Sequence, residues 1–231
     1  MQDKQLEGED ENPKMDFSGE VDDYAPQYES KAWIDDEEIE QRALKSPYWN
    51  KLEQVHFPMP ERSFAPKREL DASRCQSIQR GKDAEKVFVD LASKQWTVHN
   101  TSLQEDKVGH IDYYLQKDEL QIPLDVKALR CITRNRGLQN KYMWVELHKF
   151  GFLFGGQSTC IALQYSSFKF ILLNKMALQK MVRNSFSEKL PPVRWNNQAF
   201  HRAFKREGTN EWIGFLELLD VVQACAIDIV K

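Results

Sequence analysis

At 231 residues, with 41% hydrophobic and 29% charged residues, the chain is long enough to bury a sizeable core and has an ordinary globular composition. No apolar run reaches the ~18 residues of a bilayer span, no hydrophobic signal peptide opens the chain, and Cys75, Cys131, Cys160 and Cys225 form no CxxC pair. A membrane protein, a disulfide scaffold and a paired-ligand zinc site are therefore set aside, and reduced thiols point to an intracellular compartment, cytoplasm or nucleus. The net charge of −3 hides an asymmetry: residues 1–40 hold 15 acidic residues and three lysines, a net of −12, so residues 41–231 carry +9. A basic body calls for a polyanionic ligand.

In chain order, residues 1–45 read as an acidic tail, disordered unless it docks on a protein partner through Tyr24, Tyr28, Trp33 and Ile34. Within it Asp35 to Leu44 reads as a short helix capped by Asp35 or Asp36. Residues 46–70, with Pro47, Pro58, Pro60 and Pro66, read as an extended arm on the surface of a domain spanning 71–231. A long helix follows from about Asp71 to Lys94, with Ile78, Ala84, Val87, Phe88 and Leu91 at its apolar positions. Gly81 weakens that helix or lets another backbone come close. Gln95 to Thr101 reads as the first strand.

Ile111 to Leu115 and Leu120 to Leu129 flank Gln116-Lys117-Asp118-Glu119 and read as a β-hairpin. An even-length turn pairs residues whose numbers sum to 237, which sets Asp112 opposite Asp125. Period-2 alternation puts Lys127 on the same face as Asp125, with Leu124, Val126 and Ala128 on the other. Two facing carboxylates destabilise a hairpin unless a charge neutralises them, and a divalent cation would do so.

Beyond the hairpin lies a polar stretch from Ala128 to Lys141 containing Arg130, Arg134 and Arg136. Tyr142 to Glu146 reads as a strand or helix start, Thr159 to Tyr165 and Phe168 to Leu173 as two strands joined through Ser166-Ser167, and Lys175 to Val182 as an amphipathic helix. Asn197 to Glu207 reads as a basic helix, and Glu211 to Val230 as a packing helix or a strand followed by a helix. Trp144, Trp195 and Trp212 are assigned to the core, with Trp195 beside Arg194 a stacking alternative.

The hairpin resembles the PD-(D/E)xK nuclease superfamily, whose signature is an acid at a strand bend followed by (Asp/Glu)-x-Lys on the next strand. Here the first motif is Ile111-Asp112, with Ile for the usual Pro, and the second is Asp125-Val126-Lys127. In that superfamily a helix preceding the acidic strands supplies a further Glu, and RGKDAEKVFVDLASKQW looks like that helix, with Glu85 in the matching position. The resemblance covers roughly Asp71 to Leu173. It implies an α/β fold, a mixed central β-sheet flanked by helices (a restriction-endonuclease-like core), and hydrolysis of phosphodiester bonds, with DNA favoured over RNA. The compact size and the flanks look like those of viral or mobile-element nucleases of replication, recombination or genome processing.

In this reading Glu85, Asp112, Asp125 and the Val126 carbonyl hold Mg²⁺ or Mn²⁺, and Lys127 orients the attacking water or stabilises developing charge. Arg130, Arg134, Arg136 and Lys141 are nucleic-acid contacts. His110 is a candidate for a phosphate contact and Glu146 for an additional acid. Endonuclease and exonuclease readings both stay open. The rival readings are a non-catalytic nucleic-acid-binding or structural protein that keeps the nuclease fold, and an interaction module in which D-x-K is coincidental.

Overall fold

A computed structural model describes residues 33–52, 72–130, 138–149, 151–186, 193, 199, 201–205 and 212–231, with the backbone alone for 72–75. Tyr24, Tyr28, most of the Pro-rich arm, Arg134, Arg136, Arg194 and Trp195 lie outside the described residues.

The helix expected near residue 35 is α1 (Asp36–Ala43). The Asp35 carboxylate accepts from the Glu37 N–H at 2.8 Å, satisfying one of the orphan donors of the first turn. Ile39 and Ala43 are fully buried, so this end of the acidic stretch packs into the body of the protein. Glu40 adds a clasp, accepting from Lys169 and Lys231 at 2.8 Å each and from the Tyr165 hydroxyl at 3.1 Å. Burial alone would raise its pKa, but these donors outweigh it and hold the carboxyl at about 2. The folded value is below the unfolded one, so the clasp stabilises above about pH 4.5 and its contribution is lost as pH falls toward 2. Glu40→Gln is expected to cost about 1–2 kcal/mol at pH 7 and nothing near pH 2, as read by urea unfolding at both pH values.

The long helix is α2 (Ala72–Ala92), followed by β1 (Thr97–Asn100) and by a helix not expected from the sequence, α3 (Leu103–Lys107). Ser102 and Glu105 close a reciprocal capping box at the start of α3. The hairpin is β2 (Tyr113–Lys117) and β3 (Leu120–Lys127). Its turn is the pair Asp118-Glu119 rather than four residues, because Asp118 takes a left-handed φ of 54° that suits a tight hairpin turn. The predicted register holds: Tyr113 pairs with Leu124 and Lys117 with Leu120. The chain then forms β4 (Tyr142–Glu146), α4 (Phe152–Gly155), β5 (Cys160–Ser166), β6 (Lys169–Asn174) and α5 (Lys175–Ser185). The β5–β6 turn is Ser167-Phe168, one residue later than expected.

The expected basic helix over 197–207 is not seen among the described residues there: His201 takes a left-handed φ of 52° within a bend, and Phe204–Lys205 form β7, which pairs with β8 (Trp212–Glu217). The C-terminal stretch is strand, helix and strand: β8, α6 (Leu218–Cys225) and β9 (Ala226–Val230). A six-stranded sheet runs β1-β2-β3-β5-β6-β9, in which β3 and β5 are parallel and the other neighbours antiparallel; β4, β8 and β7 form a second sheet. The fold is thus α/β with a mixed sheet flanked by helices.

Alternation along the strands divides the core in two. Ile122, Leu124, Val126, Ala162, Phe170 and Leu172 face Ala84, Phe88 and Ala92 of α2. Ile161, Leu163, Tyr165, Ile171 and Leu173 face a layer built from α1, α5, α6, β4 and β8. The charged residues lie at the end of the hairpin away from the Asp118-Glu119 turn, where β2 begins and β3 ends.

Candidate functional site

On β3, Leu124 and Val126 are spent on the α2 core, so alternation turns Asp125 and Lys127 to the opposite face. Asp125 is only 2% exposed, and Lys127 Nζ donates to its Oδ1 at 2.5 Å. The ammonium also lies 4.6 Å from the centroid of the Phe152 ring, which shields the pair from one side. The second oxygen of Asp125, Oδ2, is buried and has no hydrogen-bond partner. A buried carboxylate oxygen without a donor costs on the order of 1–3 kcal/mol, which fold stability alone gives no reason to keep.

Asp112 stands at the bend just before β2. Its backbone N–H donates to the Leu124 carbonyl at 2.9 Å, and its Oδ2 accepts from the Val126 N–H at 2.6 Å. The bend is braced from two directions. The Thr101 hydroxyl reaches the carbonyls of Ile111 and Asp112 at 2.9 and 3.0 Å, and His110 takes a left-handed φ of 49°. His110 lies before the strand and packs on Gly156, where an added Cβ would stand 2.7 Å from the His110 Cβ. Burial, the Asp125 charge and, more weakly, that of Glu85 push the Asp112 carboxyl up to about 8, against the opposing pull of Lys127 and the Val126 N–H.

Glu85 reaches the same place from α2. Its pKa is raised by burial and by Asp106 and Asp125, while Lys127 and Lys82 pull the other way. Glu85, Asp106, Asp112, Val126 and Lys127 line one cleft of about 390 Å³, with Asp125 set behind its wall. Arg80, Lys82 and Arg130 add positive charge to that wall. Ser77, Ile78, Gly81 and Glu85 are spaced to share one face of α2, and a Cβ at Gly81 would meet nothing within 4 Å, so the helix is bare where it borders the cleft. Ile78, expected in the core, is 43% exposed for this reason.

The structure thus brings together Glu85, Asp112, Asp125, Val126, Lys127 and Arg130. Arg130 lines the cleft with its guanidinium 4.1 Å from the Trp144 ring centroid. Lys141 does not line it and instead lies 5.6 Å from the Tyr142 ring centroid. Glu146 has a structural task, accepting from the Phe152 N–H at 2.9 Å at the start of α4. Among the described residues, no three His, Cys, Asp or Glu side chains close into a ready-made cation cage. The three acids are electrostatic neighbours, and the contact on Asp125 is made by Lys127.

One participant gave no sequence signal. Lys175, the first residue of α5, is completely buried and donates to the Gly156 carbonyl at 2.9 Å and to the Ser158 hydroxyl at 3.1 Å. Burial depresses its pKa to about 8, the Asp125 charge supporting its protonation and Lys127 opposing it. The loop it holds also receives the bend, since the Gln157 N–H donates to the Gly109 carbonyl at 2.6 Å. Lys175 therefore braces the segment that carries Asp112. Lys175→Ala leaves a carbonyl and a hydroxyl without a partner and empties the space of the stem; a loss of roughly 2–4 kcal/mol in urea unfolding is expected, with Lys175→Met losing less.

Compared with known proteins, the chain matches no family model, no curated protein and no solved structure.

Proposed function

We propose that the chain is a divalent-cation-dependent nuclease of PD-(D/E)xK type that hydrolyses phosphodiester bonds, with DNA as its substrate. The observation that carries this reading is the unpartnered, buried Oδ2 of Asp125, set beside an Asp112 carboxyl whose proton is held up to about pH 8. Such an acid cluster is costly unless a cation completes it. Hard oxygen donors are what Mg²⁺ and Mn²⁺ take, and Asp112, Asp125, Glu85 and the Val126 carbonyl are the residues that would hold one. Bound there, the ion would supply a water of lowered pKa and polarise the phosphate.

The chain's own groups do the rest. Lys127, freed from Asp125, is placed to orient the attacking water or to stabilise charge on the phosphate oxygens. Arg80, Lys82 and Arg130 offer positive charge to flanking phosphates, which positions a strand without reading its sequence. The order of helix, first strand and acidic hairpin in a mixed sheet agrees with the restriction-endonuclease-like core that the motif implies. Among the described residues no helix is long and apolar enough to cross a membrane. An origin in a virus or mobile element rests on the compact size and the flanks alone.

The reading is tested with linear, circular and single-stranded DNA in Mg²⁺ or Mn²⁺ beside an EDTA control. Cleavage that EDTA abolishes supports it, and a cut in circular DNA identifies an endonuclease. DNA binding without cleavage of any substrate moves the assignment to a non-catalytic holder of nucleic acid.

A further inference from the structure

A second cavity of about 300 Å³ adjoins the cleft, sharing Arg80, Ala128 and Leu129 with it. Ala84 and Val87 of α2, Leu138 and Phe168 supply its apolar wall, and Asp83, Gln164 and Ser167 its polar part. Phe168, at the β5–β6 turn, is 68% exposed and Leu138 is 45% exposed. With Ile78 of the cleft, these make three of the seven exposed large hydrophobic residues among those described, all gathered on two adjoining cavities. Exposed apolar side chains that cluster, rather than scatter, mark a binding surface.

We infer that this cavity is a subsite for one unpaired nucleobase, so that the chain engages a single-stranded stretch of nucleic acid beside the scissile phosphate. The inference rests on the nuclease reading of the cleft and adds the substrate class. A strand with a phosphate at Lys127 passes Arg80, the charged residue common to both cavities, and the neighbouring base meets the Phe168 ring. A volume of 300 Å³ is at the small end of ligand pockets, which run from about 300 to 1,000 Å³, and suits one flat heterocycle. A base inside a duplex has its faces stacked on its neighbours and must leave the stack to enter such a pocket. An aromatic platform beside a basic track accepts any base by its face, without reading sequence.

The test separates the subsite from the chemistry. Binding of the full chain to a single-stranded DNA oligonucleotide, an RNA oligonucleotide of the same sequence and a blunt DNA duplex of equal length is measured by fluorescence anisotropy in EDTA. Phe168→Ala is expected to weaken single-strand binding about tenfold and duplex binding less than about twofold, while Phe168→Tyr binds as the wild type does. The DNA and RNA arms show which strand the subsite prefers. Unchanged single-strand affinity in Phe168→Ala, an equal loss on the duplex, or no single-strand binding by the wild type overturns the subsite. Cleavage in Mn²⁺ is scored separately. A wild type that cuts nothing, with the Phe168 effect present, refutes the nuclease and keeps the subsite; cleavage with no Phe168 effect does the reverse. Phe168 sits at an exposed turn, and thermal melts of both variants confirm an intact fold.

Discussion

Lys127→Ala is expected to lower the rate of phosphodiester cleavage by at least about 100-fold while leaving binding of an oligonucleotide in EDTA within a few-fold of the wild type. The Lys127 ammonium stands 2.5 Å from Asp125 Oδ1 and lies over the Phe152 ring, which restricts where it can go. In the proposed mechanism its loss removes a charge needed in the transition state, whereas Arg80, Lys82 and Arg130 remain on the cleft wall as positive charge for phosphates. Removing the ammonium also leaves Asp125 buried and unpaired, so the variant melts lower in EDTA. Comparing the Mn²⁺ dependence of its Tm with that of the wild type separates the two effects. An ion on the acids restores the fold, and the rate stays low.

The second large effect belongs to Asp112→Asn, which is expected to stabilise the cation-free protein at pH 8 and to abolish cleavage. The carboxyl's folded pKa, about 8, lies well above its ordinary value of 3.8. Between those values the folded state keeps a proton that the unfolded chain has released, so the stability of the wild type falls as pH rises through that window. Asn carries no such penalty and still offers an oxygen to the Val126 N–H. A gain of roughly 1–3 kcal/mol, or about 3–8 °C in Tm, is expected at pH 8 in EDTA, vanishing near pH 4. Adding Mn²⁺ at pH 8 should raise the Tm of the wild type and not that of the variant, because a ligand that binds only the folded state stabilises it. Below pH 8 the ion must displace a proton from Asp112, so its apparent affinity should grow by up to about tenfold per pH unit.

Much of the site was legible because it is local. The pairing of Asp112 with the 124–126 segment follows from an even-length turn, and the turn can shrink from four residues to two without changing the sum of paired numbers. That Asp125 and Lys127 share a face follows from a period of two. Glu85 is picked out only by the resemblance of its helix to that of the nuclease superfamily, whereas the bare cleft face of that helix, through Gly81, follows from a period of 3.6. Lys175 could not. Nothing in the run Lys-Met-Ala-Leu-Gln-Lys separates a buried lysine from a solvated one, and its partners, Gly156 and Ser158, come from a loop brought near only by the tertiary fold. The α3 capping box stands in the sequence as Ser102 and Glu105, but the five-residue helix it starts is too short to show an apolar period. The basic-helix reading of 197–207 failed at Phe204–Lys205, where pairing with β8 outweighs local propensity. The burial of α1 followed from contacts made across the whole length of the chain, through Glu40, Lys169 and Lys231.

The measurement that bears most directly on this account is nicking of supercoiled DNA in Mn²⁺ at pH 8 by the wild type and by Asp125→Asn, expressed and purified side by side so that a contaminating nuclease would appear in both. Asp125 carries the buried, unpartnered oxygen on which the proposed cation site rests, and Asn in its place keeps the volume while removing the charge. The account predicts cleavage by the wild type that is lost in EDTA and lower by at least about 100-fold in the variant. Equal activity in the two preparations, or none in either while both bind DNA, would contradict it.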